Sequence, residues 1–284
     1  MAAANGRTTA SEGVIYCATG ASYVAAAIRS AKSLVRHNPG MLVHLFTDSS
    51  GEQTLRGLSP TPFTSSSVLP IPNPRSKVDC LSMTPFDRTI FFDTDTKVVA
   101  DIREVFGLLE KNDMAMAHAM RRMQGNLKPY RVPLPDAFPE FNSGVIVYRS
   151  TPAVLGLLRE FAEEFNGAWR EIGYQNQQEF HDQTPLRELV WLSDLKVAVL
   201  PPEYNIRYLK FPLFWGKEEA VPRIYHLKQF HIGWWKWILA SVKNRIYDRA
   251  DRLISPLLLA MGGNAIGAAR RKKRVAIKRA KRSG

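Results

Sequence analysis

Apolar residues in this chain follow two alternating patterns: short unbroken runs and longer stretches with helical spacing. Val14-Ile15-Tyr16-Cys17-Ala18 is a short run that stops at Thr19-Gly20, and it predicts a buried strand closed by a turn. Ser22 then stands where a cap would, ahead of Val24, Ala27, Ile28, Ala31, Leu34 and Val35, which are spaced for one face of a helix. Asn38-Pro39-Gly40 ends that helix, and residues 41–46 predict a second strand closed by Thr47-Asp48. Strand, helix and strand in this order form a βαβ unit, whose two strands pair in parallel.

Residues 60–74 are rich in Pro, Ser and Thr and predict at most a short strand near 67–71. Thr89-Ile90-Phe91-Phe92 predicts a strand running directly into Asp93-Thr94-Asp95. A helix is expected over 102–110 and a strand over 114–117. The proline-rich stretch 120–140 reads as a long loop over a site, because periodic structure resumes directly after it. A strand over 145–148 follows, and Pro152 suits the first turn of a helix reaching about Trp169. A helix over 181–191 and strands over 197–200 and 223–226 complete the pattern. No internal repeat is visible. The alternation predicts one α/β domain.

Composition narrows the class. With 284 residues and 45% hydrophobic content the chain can bury a sizeable core, which excludes wholesale disorder. Cys17 and Cys80 show no CxxC spacing and fit a reduced compartment or a core role better than a disulfide framework. The first 13 residues lack the apolar run of a secretory signal. The most apolar late stretch, 253–269, contains Pro256, Gly262, Gly263 and Asn264, a poor composition for a spanning helix.

The strongest chemical signal is Phe91-Phe92-Asp93-Thr94-Asp95. Residues i and i+2 of a strand share a face, so the two carboxylates are expected to converge on one cation. Hard divalent ions take oxygen ligands and leave room for substrate phosphates. The carboxyl end of a strand in an open α/β sheet is where ligands bind. The plain alternative is a solvated Asp-Thr-Asp turn, since this triplet is common.

The surroundings of the triplet weigh against that alternative. Residues 84–96 resemble the segment before and through the DxD motif of family 8 glycosyltransferases and their neighbours. Phe141-Asn142-Ser143-Gly144-Val145 is similar to that family's FNSG element, and His181-Asp182-Gln183 to its DQ element. His226, with the later Gly233-Trp234-Trp235-Lys236, resembles its HxxGxxKPW element. The order agrees from about Val14 to Trp237. The last element departs from the family spacing: His226 lies seven residues before Gly233 and His231 only two. His226 is preferred as third metal ligand because it directly follows an apolar run, with His231 as the alternative.

The resemblance implies a Rossmann-like GT-A nucleotide-sugar-binding fold with a mixed central sheet and a metal-dependent sugar transfer. Asp93, Asp95 and His226 would hold Mn²⁺ or Mg²⁺. Ala18, Thr19 and Tyr23 would line the base of a nucleotide, with a core-facing Tyr23 as the alternative. Lys77 would stand near phosphate or sugar. Asn142 and Ser143 would meet the donor sugar, as would the motif's Thr94. Asp182 and Gln183 would be the catalytic pair, Asp182 on the sugar hydroxyls and Gln183 beneath the anomeric carbon. Gly233 and Lys236 would reach the diphosphate. The implied donor is a UDP-sugar, the acceptor a glycan, lipid or protein hydroxyl, and the outcome retention. The competing reading is an inert sugar-nucleotide fold that binds membrane or nucleic acid through a basic tail.

That tail accounts for most of the charge. The net charge is +13, and nine Lys or Arg with no acid follow from Arg270, leaving about +4 on the rest. Ahead of it, Trp234, Trp235 and Trp237 interleave with Lys236, Lys243 and Arg245, a composition suited to an anionic membrane surface. A solvated tail with no specific partner is the alternative, and nucleic acid is the less favoured partner, because the charge is terminal rather than spread over a folded face. The expected organisation is a disordered 1–12, a GT-A domain over 13–237, and a basic helical extension over 238–284, disordered at its end. The expected location is cytoplasmic, peripheral on the inner face of a membrane.

Overall fold

A computed structural model describes residues 11–70, 76–119, 131–171, 182–207 and 221–227. In chain order its strands are β1 (Glu12–Ala18), β2 (Leu42–Thr47), β3 (Ser65–Val68), β4 (Arg88–Phe92), β5 (Thr96–Val98), β6 (Met114–His118), β7 (Phe141–Arg149), β8 (Val197–Val199) and β9 (Ile224–His226). The helices are α1 (Ala21–His37), α2 (Ser49–Arg56), α3 (Lys77–Cys80), α4 (Pro152–Glu171) and α5 (Gln183–Leu192), with a 3₁₀ segment at Arg103–Glu110.

One sheet has the order β3-β2-β1-β4-β7-β6-β8, and β5 pairs with β9 in a small second sheet. Within the large sheet β7 alone is reversed: it runs antiparallel to both β4 and β6, while the other pairings are parallel. The sheet is therefore mixed, as expected. The reversal brings the amino end of β7 to the edge where β1 and β4 end.

Strand alternation divides the core between the two faces. Val14, Tyr16 and Ala18 of β1 join Ile90 and Phe92 of β4 beneath α1, whose Val24, Ala27, Ala31 and Leu34 are buried there. Ile15 and Phe91 point the other way and meet Leu158, Phe161 and Phe165 of α4 and Leu186 and Leu189 of α5. With both faces covered, the central strands read as unbroken apolar runs, which is why they were legible. Each such large side chain contributes about 1.5–3 kcal/mol on full burial.

Several elements differ from expectation. Helix α1 begins after Gly20, not at a Ser22 cap. Gly20 has φ +81°, a conformation glycine adopts without strain, and its N–H donates to Asp48 Oδ2 at 2.7 Å. The 102–110 stretch is 3₁₀ rather than a regular α-helix. Helices α2 and α3 and strand β5 carry too few apolar residues to show a period. Of the terminus expected to be disordered over 1–12, residues 1–10 lie outside the described residues, as does the extension expected over 238–284, while β1 already begins at Glu12.

Candidate metal and donor site

Strand β4 ends at Phe92, and Asp93-Thr94-Asp95 is a turn leading into β5. The Thr96 N–H and hydroxyl both donate to the Asp93 carbonyl, at 3.2 and 2.8 Å. The expected shared strand face is thus corrected: a turn, not the strand's period of two, brings the carboxylates together. Strand β5 then pairs antiparallel with β9, placing Thr96 opposite His226. The Leu227 N–H donates to the Asp95 carbonyl at 3.0 Å, which fixes the crossing.

This register delivers the imidazole. His226 Nε2 lies 3.1 Å from Asp95 Oδ1 and 3.5 Å from Asp93 Oδ2, and the ring is 2% exposed. One ligand atom from each of Asp93, Asp95 and His226 falls within 4.8 Å of the others. Burial opposes a charge on His226, but its bonds to Asp93 and Asp95 outweigh this and raise its pKa. His231 lies outside the described residues, as do Gly233 and Lys236.

A second cluster meets the first at Asp93. Lys77, the first residue of α3, places Nζ 2.7 Å from Asp182 Oδ2 and 3.2 Å from both Asp93 Oδ1 and Ser143 Oγ. The Ser143 hydroxyl donates to Asp182 Oδ2 at 2.7 Å. Asp182 precedes α5, yet its side chain makes no capping bond and turns to Lys77 instead. Burial disfavours the charges on Asp93 and Asp182, and the Lys77 ammonium overcomes that, so both carboxyls titrate below the ordinary range.

The strand that joins these clusters was expected to begin at Val145, but β7 begins at Phe141. Between the pairs Met116↔Ile146 and His118↔Phe141 the register shifts, with the extra residues on β7. Irregularities of this kind re-aim side chains beside sites. Ser143 reaches Lys77 and Asp182. Gly144 faces His226 so closely that a Cβ there would sit 1.9 Å from the ring's Cε1. Asn142 parts from Ser143, against expectation: its Oδ1 accepts from the Gly144 N–H at 3.1 Å and from Asn205 Nδ2 at 2.9 Å.

Of the other expected residues, Ala18 is buried in the core and its carbonyl accepts the Thr47 hydroxyl at 2.8 Å. Thr19 is partly exposed and Tyr23 is 50% exposed, which rejects the core-facing alternative for that ring. Thr94 is buried in the turn, and Gln183 is buried at the start of α5. Sequence reasoning missed Asn205 and Arg207. Arg207 places Nη1 3.1 and 2.9 Å from the two His226 ring nitrogens. Both residues follow Pro201 and Pro202 in a stretch without periodicity, and only tertiary contact reveals them.

Two carboxylates on a turn and one imidazole at the end of β9, against a glycine that makes room for the ring, suit a divalent ion. Asp93, Asp95 and His226 are the residues that fit it.

No family model and no curated protein matches the sequence. Solved structures do. The glycosyltransferase GlyE of Streptococcus pneumoniae TIGR4 is 18% identical with a TM-score of 0.52, covering 76% of this chain and 54% of that one. The galactosyltransferase LgtC, solved with donor and acceptor sugar analogues, is 13% identical with a TM-score of 0.53, covering 76% and 87%. Mouse xyloside xylosyltransferase 1 in its apo form is 16% identical with a TM-score of 0.47, covering 76% and 97%. This chain thus spans about half the length of the pneumococcal protein. The fold it shares with GlyE and LgtC is the GT-A fold.

Proposed function

We propose that the chain is a metal-dependent glycosyltransferase that moves a sugar from a nucleoside-diphosphate sugar, a UDP-sugar by resemblance, to a hydroxyl acceptor. The observation that carries this is the meeting of Asp93, Asp95 and His226 with Lys77, Ser143 and Asp182 at the strand ends of a GT-A fold. When bound, a divalent ion offsets the charge that grows on a departing diphosphate. Asp93, Asp95 and His226 would hold it. Lys77 keeps Asp93 and Asp182 ionised and aimed, and presents a cation toward the same space. Asp182 and Ser143 offer hydrogen bonds to sugar hydroxyls, and Gln183 follows Asp182 on the helix. Thr19 and Tyr23 stand beside the end of β1, where a base would lie. Retention rests on the family resemblance.

The test is a screen of nucleotide sugars for Mn²⁺-dependent hydrolysis, with Asp95→Ala beside the wild type. One donor should be hydrolysed, and chelator or Asp95→Ala should abolish this and the binding of the nucleoside diphosphate. Nucleotide binding indifferent to both would refute the assignment.

We further propose that the Trp-rich, basic segment after Trp234 meets an anionic membrane, each cation near the surface contributing about 1 kcal/mol. Its support is composition alone. Among the described residues no helix is long and apolar enough to cross a membrane. Co-sedimentation with anionic vesicles at low and high salt, for the full chain and for one ending near Val242, decides it; equal sedimentation of both would refute the role of the tail.

A further inference from the structure

His226 can serve an ion through Nε2 only if its other nitrogen carries a proton, and the structure indicates what imposes this. The Gly144 backbone N–H is an unambiguous donor, and it points at Asn142 at 3.1 Å. The Asn142 atom that receives it must be Oδ1. Asn205 faces that same oxygen at 2.9 Å, so the Asn205 atom there must be its amide Nδ2. The remaining Asn205 atom is then Oδ1, an acceptor with no proton to give, and it lies 2.9 Å from His226 Nδ1. His226 Nδ1 must therefore be the donor. Three contacts thus run from a main-chain amide to the ring and leave Nε2 facing Asp95 and Asp93. Arg207 Nη1 does not alter this assignment. It is nearly equidistant from both ring nitrogens, at 3.1 and 2.9 Å, and so lies along the in-plane axis of neither.

We propose that Asn205 is a positioning residue of the metal site: through its buried Oδ1 it fixes the Nδ1–H form and the orientation of His226, so that Nε2 is presented to a divalent cation. This rests on the metal reading given above and names the residue on which that reading depends outside the ligand set. Partners of metal-bound histidines hold the ring's tautomer and angle in this way, and their loss costs about 10–100-fold in affinity.

The experiment uses the full chain with Mn²⁺ as probe and two substitutions of similar size. Asn205→Leu removes the acceptor, and Asn205→Asp keeps one. Mn²⁺ affinity is read from the electron paramagnetic resonance of the free ion. The His226 ring is read by ¹⁵N NMR, both metal-free and with Zn²⁺ as a diamagnetic ion. The wild type should show a hydrogen-bonded Nδ1 proton in both states. Asn205→Leu should lose that signal and bind Mn²⁺ about 10–100-fold more weakly, with circular dichroism confirming a folded chain. Asn205→Asp should restore the Nδ1 signal and most of the affinity, which a role in packing alone would not do. An Asn205→Leu protein with unchanged affinity and Nδ1 signal overturns the proposal, as do equal losses in both variants. Wild-type protein that binds Mn²⁺ without an Nδ1 proton overturns it too. Wild-type protein that shows the proton but binds no Mn²⁺ instead overturns the metal reading on which the proposal stands.

Discussion

Substituting alanine for Gly144 adds one methyl group in a place where the structure leaves none free. A Cβ there would sit 1.9 Å from His226 Cε1 and 2.7 Å from each ring nitrogen. Ordinary carbon contacts begin at about 3.5 Å, so the ring must withdraw by about 1.6 Å or β7 must move instead. Metal geometry tolerates only about 0.2 Å. The first adjustment removes Nε2 from the ligand set and the second shifts Asp93, whose N–H donates to the Gly144 carbonyl at 2.9 Å; displacements of about 1 Å at a reacting centre can cost on the order of 100-fold in rate. Overpacking of this size should also cost about 1–3 kcal/mol of stability. Gly156 provides the matched control. It lies inside α4, and a Cβ there meets nothing within 4 Å. Gly156→Ala should leave Mn²⁺ binding alone and stabilise the helix by up to about 0.5–1 kcal/mol. Titration with Mn²⁺ and thermal unfolding of the two proteins make the comparison. A folded Gly144→Ala protein with wild-type Mn²⁺ affinity would refute the claim that the close approach of Gly144 to His226 controls the metal site.

Lys77→Met should destabilise the chain by about 2–3 kcal/mol, somewhat less than a fully buried pair, because Asp93 keeps 23% of its side chain exposed. It should also raise the pKa of Asp93 and Asp182, which ¹³C NMR of the carboxyl carbons would detect; unchanged titration would refute the role given to Lys77. Asp48→Ala should cost about 1–2 kcal/mol, since Asp48 caps α2 through the Gly51 N–H and also holds the Gly20 N–H. Burial works against the Asp48 charge, and the bonds from Gly51, Ser50 and Gly20 outweigh it, so its pKa is lowered on folding. That stabilisation is present above the unfolded value of about 3.9 and is lost as pH falls through the folded one. Denaturant unfolding at neutral pH and near pH 3 should therefore show the gap between variant and wild type shrinking in acid; a constant gap would refute the capping account.

The elements that were legible in the sequence are those whose whole face is buried. Val14 to Ala18 and Ile90 to Phe92 announce themselves because both sides of those strands are dry. Strand β7 was read from Val145 only, because Asn142, Ser143 and Gly144 are small or polar: they serve the site rather than the core. Helix α3 was missed because four residues show no period, although Lys77 itself was picked out by resemblance. His226 was readable from its apolar run, whereas Asn205 was not. Its importance lies in two hydrogen bonds to residues 63 and 21 positions away, and no local pattern encodes such partners. The same holds for Gly144, whose neighbour His226 is distant in sequence.

The pairing of β5 with β9 covers only three residues on each side, yet it joins the Asp93-Asp95 turn to a histidine on the far side of the chain. An ion shared by Asp95 and His226 would act there as a removable clasp, added to the short ladder and to the bonds that Ile206 and Val99 make around β9. At a hundred times its dissociation constant such an ion adds about 2.7 kcal/mol to the folded state. Withdrawing the ion would then loosen the junction as well as disarm the site, so the integrity of the last described strand and readiness for a donor become one equilibrium, set by the concentration of a single free cation.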